Sequence, residues 1–78
     1  MKFIIFQGLT ADKDGNTTEM GKVAINITEV TGVLECVDKH ECVIKNCCSI
    51  LFRGGGQITV KGTIDAIIES IEGNQYGQ

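Results

Sequence analysis

The chain has 78 residues, 42% of them hydrophobic, and a formal net charge of −3 at pH 7. This length predicts one domain with a thin core, because a chain of this size buries only about 60–65% of its unfolded surface and usually needs reinforcement by a disulfide, a metal or a partner subunit. The acidic balance argues against a nucleic acid polymer as partner, and no apolar run reaches the roughly 18–20 residues of a membrane span.

The N-terminal run, residues 2–9, predicts a strand that is apolar on both faces. Phe3 and Ile5 alternate with Ile4 and Phe6, a pattern typical of strands covered on both sides. A single helix cannot cover both faces, so we expect a homo-oligomer, at least a dimer, with part of this strand at the interface. The apolar part is shorter than the roughly 7–15 residues of a signal-peptide core, so we expect a cytoplasmic protein.

Polar and β-rich stretches alternate up to residue 37. Residues 10–20 are expected to form a polar turn, and the alternation in residues 21–27 predicts a second strand paired with the first. Asn26 is a good cap for a single helical turn. Residues 30–37 return to strand character, with Gly32 as a bend or bulge.

In residues 38–46, two polar segments flank a short apolar one. Residues 38–41 are charged and predict a loop, and residues 42–44 form a short apolar segment. Lys45-Asn46 reads as a turn, because Asn tolerates the left-handed backbone conformation. We therefore expect the next strand to begin after this turn.

Residues 48–61 predict a β-hairpin. Two β-branched runs flank three consecutive glycines, which supply positive φ at no steric cost. If the turn pairs Arg53 with Gln57, the apolar side chains of the two strands oppose one another on a buried face. The expected pairs are Phe52 with Ile58 and Ile50 with Val60.

A C-terminal helix is expected after the hairpin. Thr63 is a good N-cap, Asp65 suits the first turn, and Gly73 is expected to end the helix. The predicted fold class is α+β: a small antiparallel sheet of four to five strands with one C-terminal helix packed on it, forming a single domain over residues 1–73 with a frayed polar tail over residues 74–78. The apolar stripe expected to face the sheet consists of Ile64, Ile67, Ile68 and Ile71.

The order of these elements resembles the small flagellar FlbD-like proteins. Hydrophobic pattern and turn placement over residues 22–71 carry the resemblance, and residues 10–20 and 38–47 depart from it. It implies a few strands and one C-terminal helix, and a structural or regulatory protein that docks a partner chain through a sheet edge or the helix. The matching segments are Ile25-Asn26, residues 30–35, Ile50-Leu51-Phe52 with its glycine turn, Ile58-Thr59-Val60-Lys61 and the Ile-rich helix.

The hairpin tip is the first candidate site. Arg53 is the only arginine in the chain, and the amides of the three glycines that follow it can form a concave anion nest. The guanidinium can grip a phosphate with two hydrogen bonds, and in the expected register no same-strand carboxylate faces it. The alternative is a plain glycine turn with an exposed arginine. The predicted ligand-binding residues are Arg53, Gly54, Gly55, Gly56, Gln57 and Lys61.

The cysteines and the histidine are the second candidate. Residues 36–48 hold four cysteines and one histidine, the ligand types that zinc prefers, but no Cys-x-x-Cys knuckle. The alternatives are buried cysteines that act as small hydrophobes beside a solvated histidine, or a disulfide from this loop to a strand after exposure to air. The zinc ligands would be Cys36, His40, Cys42 and Cys47, or Cys48 in place of Cys47.

Catalysis is the least supported class of function. A nucleophilic cysteine with His40 as its base would need a third group to orient the histidine, and the sequence offers none. We therefore expect a non-enzymatic, homo-oligomeric binding module that holds a small phosphorylated molecule, such as a nucleotide signal, in a shared pocket near the hairpin tip. In general style this resembles the phage anti-defence sponge proteins. The competing expectation is the partner-docking protein that the flagellar resemblance implies.

Overall fold

The computed structural model describes residues 2–76, with the side chains of residues 2–73. Within them, five antiparallel strands form one sheet in the order β2-β1-β5-β4-β3, and a helix follows the last strand. The α+β prediction, an antiparallel sheet followed by a C-terminal helix, is thus confirmed. The elements are β1 (Phe3–Ala11), β2 (Thr17–Asn26), β3 (Val30–Val37), β4 (Val43–Phe52), β5 (Gln57–Lys61) and α1 (Ile64–Tyr76).

The β1–β2 hairpin is longer than the sequence predicts. Its turn occupies only residues 12–16, so the prediction of a turn over residues 10–20 is wrong in extent. The Asp12 carboxylate accepts hydrogen bonds of 2.9 Å from the backbone N–H groups of Asp14 and Asn16. These bonds, that of Asn16 above all, hold the pKa of Asp12 below its usual range. Threonines follow the turn, and because they suit strands, pairing resumes at Thr17.

The distal half of this hairpin lies against the loop between β3 and β4. A register shift between Gly8 and Leu9 marks a bulge, which bends strands and increases their twist. Beyond the bulge, the Lys39 N–H donates a 2.8 Å hydrogen bond to the Lys13 carbonyl, and Lys39 Nζ lies 2.7 Å from an Asp14 carboxylate oxygen. The two loops are therefore joined by a backbone bond and an exposed ion pair.

The connection into β3 and the strand itself agree with the sequence. Asn26 caps a short 3₁₀ turn, since its side-chain oxygen accepts a 3.1 Å hydrogen bond from the Thr28 N–H. β3 spans the predicted residues, and its register shifts between Val30 and Gly32, where a bend or bulge is expected. Residues 38–41 form the predicted loop, held by the Asp38 carboxylate.

Lys45-Asn46 is not a turn, because β4 runs without interruption from Val43 to Phe52. Asn46 does adopt the predicted left-handed conformation, at φ 55°, but it does so inside the strand. The pairing of β3 with β4 becomes irregular opposite this point, and the Asn46 carbonyl instead accepts a 3.0 Å hydrogen bond from the Gly62 N–H. The segment is therefore a bulge that connects β4 to the residue before the helix.

The β4–β5 hairpin is confirmed, but its register differs from the predicted one. The Phe52 N–H donates to the Gly56 carbonyl at 2.8 Å, and Gly54 and Gly55 supply φ of 93° and 101°. The loop is thus centred on Gly54 and not on Gly55. The observed pairs are Leu51 with Gln57, Ile50 with Ile58 and Cys48 with Val60.

The main core lies on one face of the sheet and includes helix residues. Ile67 and Ile71 are buried in the same cluster as Ile50 and Val60 of the sheet. The Ala66 N–H donates to Thr63 Oγ1 at 3.2 Å, which confirms Thr63 as N-cap. All four side chains predicted for the buried hairpin face also belong to this cluster or pack against it: Ile50, Phe52, Ile58 and Val60.

Two expectations for the helix are wrong. Ile68 is 38% exposed, so only part of the predicted stripe is buried. The helix also continues through Gly73 to Tyr76, because a glycine inside a helix weakens it without necessarily ending it. Of the expected frayed tail, Gly77, Gln78 and the side chains of residues 74–76 lie outside the described residues.

Candidate functional site

Arg53 lies at the exposed tip of the β4–β5 hairpin. Its backbone N–H donates a 2.8 Å hydrogen bond to the Glu29 carbonyl, which fixes the start of the turn. Its guanidinium donates to the Thr28 carbonyl at 3.4 Å, and no ion pair involves Arg53 within residues 2–76. The side chain therefore has a weak internal contact and an uncompensated positive charge.

The glycine amides of the tip are only partly available to a ligand. The Gly55 N–H donates a 3.0 Å hydrogen bond to the Phe52 carbonyl within the turn. A carbonyl already occupies one of the three donors expected in the anion nest, so the tip offers fewer amides to an anion than the sequence suggests.

Lys61 lies at the opposite end of β5 from the tip. It pairs with Cys47, whereas Gln57, at the tip end, pairs with Leu51. With a rise of about 3.3 Å per strand residue, the backbones of Gln57 and Lys61 are roughly 13 Å apart. Lys61 Nζ forms a 3.0 Å ion pair with Glu19. Within one protomer, the structure therefore does not bring Arg53 and Lys61 together on one phosphate group.

A polar cavity of about 240 Å³ surrounds the Lys61 end of β5. It has two lysines and one carboxylate, so its fixed charges sum to a net positive value. Lys45 has no ion pair within residues 2–76, which leaves its ammonium available to a bound anion. The lining residues are Leu9, Thr17, Glu19, Lys45, Asn46 and Lys61.

A second, more apolar cavity of about 280 Å³ shares Lys45 and Asn46 with the first. Its lining includes Val43, Glu35 and the helix N-cap Thr63. Both cavities adjoin the β4 bulge. The bulge is therefore the element that shapes the concave surface of this end of the molecule.

Sequence reasoning found Lys61 but missed the rest of the polar cavity. Glu19 and Lys61 are separated by 42 positions, and no local pattern links them. Asn46 did carry a signal, since turn chemistry inside a β-rich run also marks bulges, which are common next to functional sites. Lys45 is found only once that bulge is recognised.

Cys47 and Cys48 lie on opposite faces of β4. Cys48 belongs to the main core, whereas Cys47 is buried with Leu9 and Ile44 in a second cluster against which Cys36 packs. Burial foremost, then the hydrogen bond and charge of Cys36, raise the pKa of Cys47 to about 12. Burial also raises the pKa of Cys48. Both thiols are therefore protonated at neutral pH.

The proposed zinc ligands are not gathered into one site. Cys36 and Cys47 lie by the second cluster, whereas Cys42 is exposed in the loop with its Sγ 3.9 Å from the His40 carbonyl. Across residues 2–76, no group of three or more His, Cys, Asp or Glu side chains is placed to hold a metal ion. The arrangement of the described residues gives the zinc alternative no support.

Residues 2–76 contain no helix that is both long enough and apolar enough to cross a lipid bilayer. No protein-family model matches the chain, and neither the curated proteins nor the solved structures with which it was compared include a match. The assignment of function therefore depends on the geometry described above.

Proposed function

We propose that the protein is a small, non-enzymatic, homo-oligomeric binding module of the cytoplasm that holds a small phosphorylated molecule, such as a nucleotide signal. The observation that carries the proposal is the polar cavity, whose lining includes two lysines, Lys45 and Lys61, and one carboxylate residue, Glu19. Ammonium groups bind phosphate as point charges, and a concave site focuses their potential even on an acidic protein.

Arg53 has a different role in this proposal from the one that the sequence predicts, which pairs it with Lys61 at one site. Because it lies at the far end of β5 from Lys61, the two bind one small ligand together only if they come from different protomers. A homo-oligomer with a shared pocket meets that condition, and the exposed side chains of Phe3 and Ile5 on β1 offer an apolar surface for self-association. The proposal thus treats Lys45 and Lys61 as the primary phosphate contacts and Arg53 as a contact from a neighbouring copy.

The state of the thiols supports a binding role over a catalytic one. A cysteine nucleophile acts as its thiolate, and the raised pKa of Cys47 and of Cys48 opposes thiolate formation. A reducing cytoplasm is compatible with four free thiols.

The test is a thermal-shift panel of mono-, di- and cyclic nucleotides at low salt. A ligand at 100 times its dissociation constant stabilises the folded protein by about 2.7 kcal/mol. For a domain of this size that corresponds to a rise in melting temperature on the order of 10 °C. Lys45→Ala is the sharpest variant, because Lys45 has no ion pair within the described residues and its removal leaves no carboxylate unpaired.

The matched control is Lys22→Ala, which removes an exposed lysine of β2 that does not line the cavity. We expect Lys45→Ala and Lys61→Ala to abolish the shift and Lys22→Ala to preserve it. Loss of the shift in Arg53→Ala would support the shared site. The absence of a shift with any nucleotide, or equal shifts in wild type and all variants, would contradict the proposal.

The second candidate function is docking of a partner chain, as in the flagellar-type proteins. Phe3 and Ile5 favour it, because both are exposed on the sheet face that points away from the main core. The same surface would serve self-association under the first proposal. A failed nucleotide panel combined with a monomeric protein would favour docking of a different chain.

A further inference from the structure

Cys36 and Cys47 lie side by side on neighbouring strands. The register pairs Leu34 with Ser49 and Glu35 with Cys48 and then shifts between Glu35 and Val37, so Cys36 lies at the irregularity and no residue of β4 is paired with it. The contacts place it beside Cys47: Cys36 Sγ lies 3.6 Å from Ser49 Oγ, Cys36 packs against the buried cluster that contains Cys47, and the two thiols share a side-chain hydrogen bond.

This arrangement is close to what a disulfide requires. A disulfide needs Cβ atoms roughly 3.5–4.5 Å apart. The two thiols already lie within hydrogen-bonding reach of each other, so a small movement of β4 brings the sulfurs together. Asn46, beside Cys47, interrupts the ladder at φ 55°, and the bulge there gives β4 room for the movement.

We propose that Cys36 and Cys47 form a redox-active pair that hydrogen peroxide converts into a disulfide between β3 and β4. The Cys36 sulfur attacks a peroxide oxygen, the O–O bond breaks, and water leaves with the thiol proton while Cys36 becomes a sulfenic acid. Because Cys47 is protonated at neutral pH, its proton passes to the departing hydroxyl oxygen as its sulfur attacks the Cys36 sulfur, the S–O bond breaks, and a second water leaves. The two thiols lose two electrons, which reduce one peroxide to two waters.

The order of the two steps follows from accessibility. Cys36 is half-buried and can be reached by an oxidant as small as hydrogen peroxide, whereas Cys47 is fully buried. Cys47 therefore acts second, on a partner already held beside it. Cys48 points to the other face, where its Sγ lies 3.4 Å from the Gly62 carbonyl, and Cys42 is in the exposed loop. Neither competes for Cys36.

The crosslink would act on the candidate site. Cys47 lines the apolar cavity, and it follows Lys45 and Asn46, which line both cavities. Tying Cys47 to β3 reduces the freedom of the bulge and of the Lys45 side chain it carries. Formation of the Cys36–Cys47 disulfide does not require the proposed ligand, so the crosslink is tested without any nucleotide.

The experiment treats the native, reduced protein with hydrogen peroxide, alkylates it under denaturing conditions and digests it with trypsin without reduction. Cleavage after Lys39, Lys45 and Arg53 places Cys36, Cys42 and the Cys47-Cys48 pair in three different peptides. We expect the intact mass to fall by two hydrogen atoms, two alkylation sites to be lost, and residues 23–39 to be linked to residues 46–53.

Serine variants assign the bond. Cys36→Ser and Cys47→Ser should each lose the linked peptide, whereas Cys42→Ser and Cys48→Ser should retain it. Cys36→Ser changes a half-buried position, so it remains informative if a buried serine at 47 impairs folding, which circular dichroism would detect. Four alkylated thiols after peroxide, a link that includes Cys42, or a link that persists in a folded Cys47→Ser protein would overturn the proposal.

Discussion

Two adjacent residues, Cys47 and Cys48, are both buried although their side chains point to opposite faces of β4. Cys48 lies in the main core and Cys47 in the second cluster, so the sheet is covered on both sides at this point. Apolar residues on both faces of a strand predict such two-sided burial. The sequence suggested it for β1, but there Phe3 and Ile5 remain exposed.

The buried thiols predict a stability that falls at alkaline pH. The pKa of Cys47 rises from its ordinary 9.0 to about 12 on folding, so the folded state keeps a proton that the unfolded state releases. The free energy of unfolding is unaffected below pH 9 and is expected to fall by up to about 1.4 kcal/mol per pH unit between pH 9 and 12. Urea unfolding at pH 8 and pH 10, with a reductant present, measures the loss.

The control for this prediction separates Cys47 from the other titrating groups. Cys47→Ala should reduce the loss between pH 8 and pH 10 by about 1.4 kcal/mol. Cys42→Ala, at an exposed loop position, is the control for removing a cysteine as such. An identical pH dependence in wild type and Cys47→Ala would show that the Cys47 thiol ionises equally in the folded and unfolded states, contrary to the prediction.

At the scale of elements, the β4–β5 hairpin shows what local pattern can predict. The predicted pairing set Phe52 opposite Ile58, and the structure sets Ile50 there. Because side chains alternate with a period of two, a shift of two residues keeps every side chain on its face. The buried face could thus be predicted from alternation. The register, in contrast, depends on which of the three consecutive glycines adopt positive φ, and the sequence alone does not determine this.

The β4 bulge shows where local pattern fails. Asn46 is left-handed both in the predicted turn and in the observed strand, so the residue alone does not distinguish the two. Contacts with residues distant in sequence decide between a turn and a strand here. Cys47 and Cys48 pair with β5, and the Gly62 N–H donates a hydrogen bond to the Asn46 carbonyl. Such long-range bonds have no signature in a six-residue window.

For the helix, neighbouring isoleucines provide a matched test of how it packs. Ile67 is 2% exposed and belongs to the main core, whereas Ile68 is 38% exposed. Ile67→Ala should lower the free energy of unfolding by roughly 2–4 kcal/mol, through lost burial and the cavity left behind. Ile68→Ala should cost under about 1 kcal/mol. Equal losses in a denaturant titration would show that the helix does not pack through Ile67.

At the scale of the whole molecule, the candidate site is assembled from segments far apart in sequence. Lys61 of β5 meets Glu19 of β2 because the β1–β2 hairpin approaches the end of β5. Local pattern predicted the strand that carries Lys61 but placed Glu19 in a turn, and it did not predict their meeting, which depends on the Gly8–Leu9 bulge and the order of the strands. Only Lys61 of the cavity could be named from the sequence.

The same architecture leaves apolar surface without a cover. Phe3 and Ile5 are 55% and 64% exposed on one face of β1, while Ile4 and Phe6, which alternate with them, pack against the main core. The part of β1 expected at an interface is thereby reduced to Phe3 and Ile5. Neighbouring exposed apolar side chains on a sheet face mark interaction sites more often than isolated ones do.

The last prediction concerns this surface. If it forms the interface between copies, light scattering at low micromolar concentration should give at least twice the chain mass of 8.4 kDa. Ile5→Lys should return the mass to that of one chain, because a buried, unpaired ammonium opposes association. Val43→Lys is the matched control, because Val43 is 54% exposed on β4 and its substitution introduces the same charge at a different position. A wild-type mass of one chain, or dissociation by both variants alike, would exclude Phe3 and Ile5 as a specific interface.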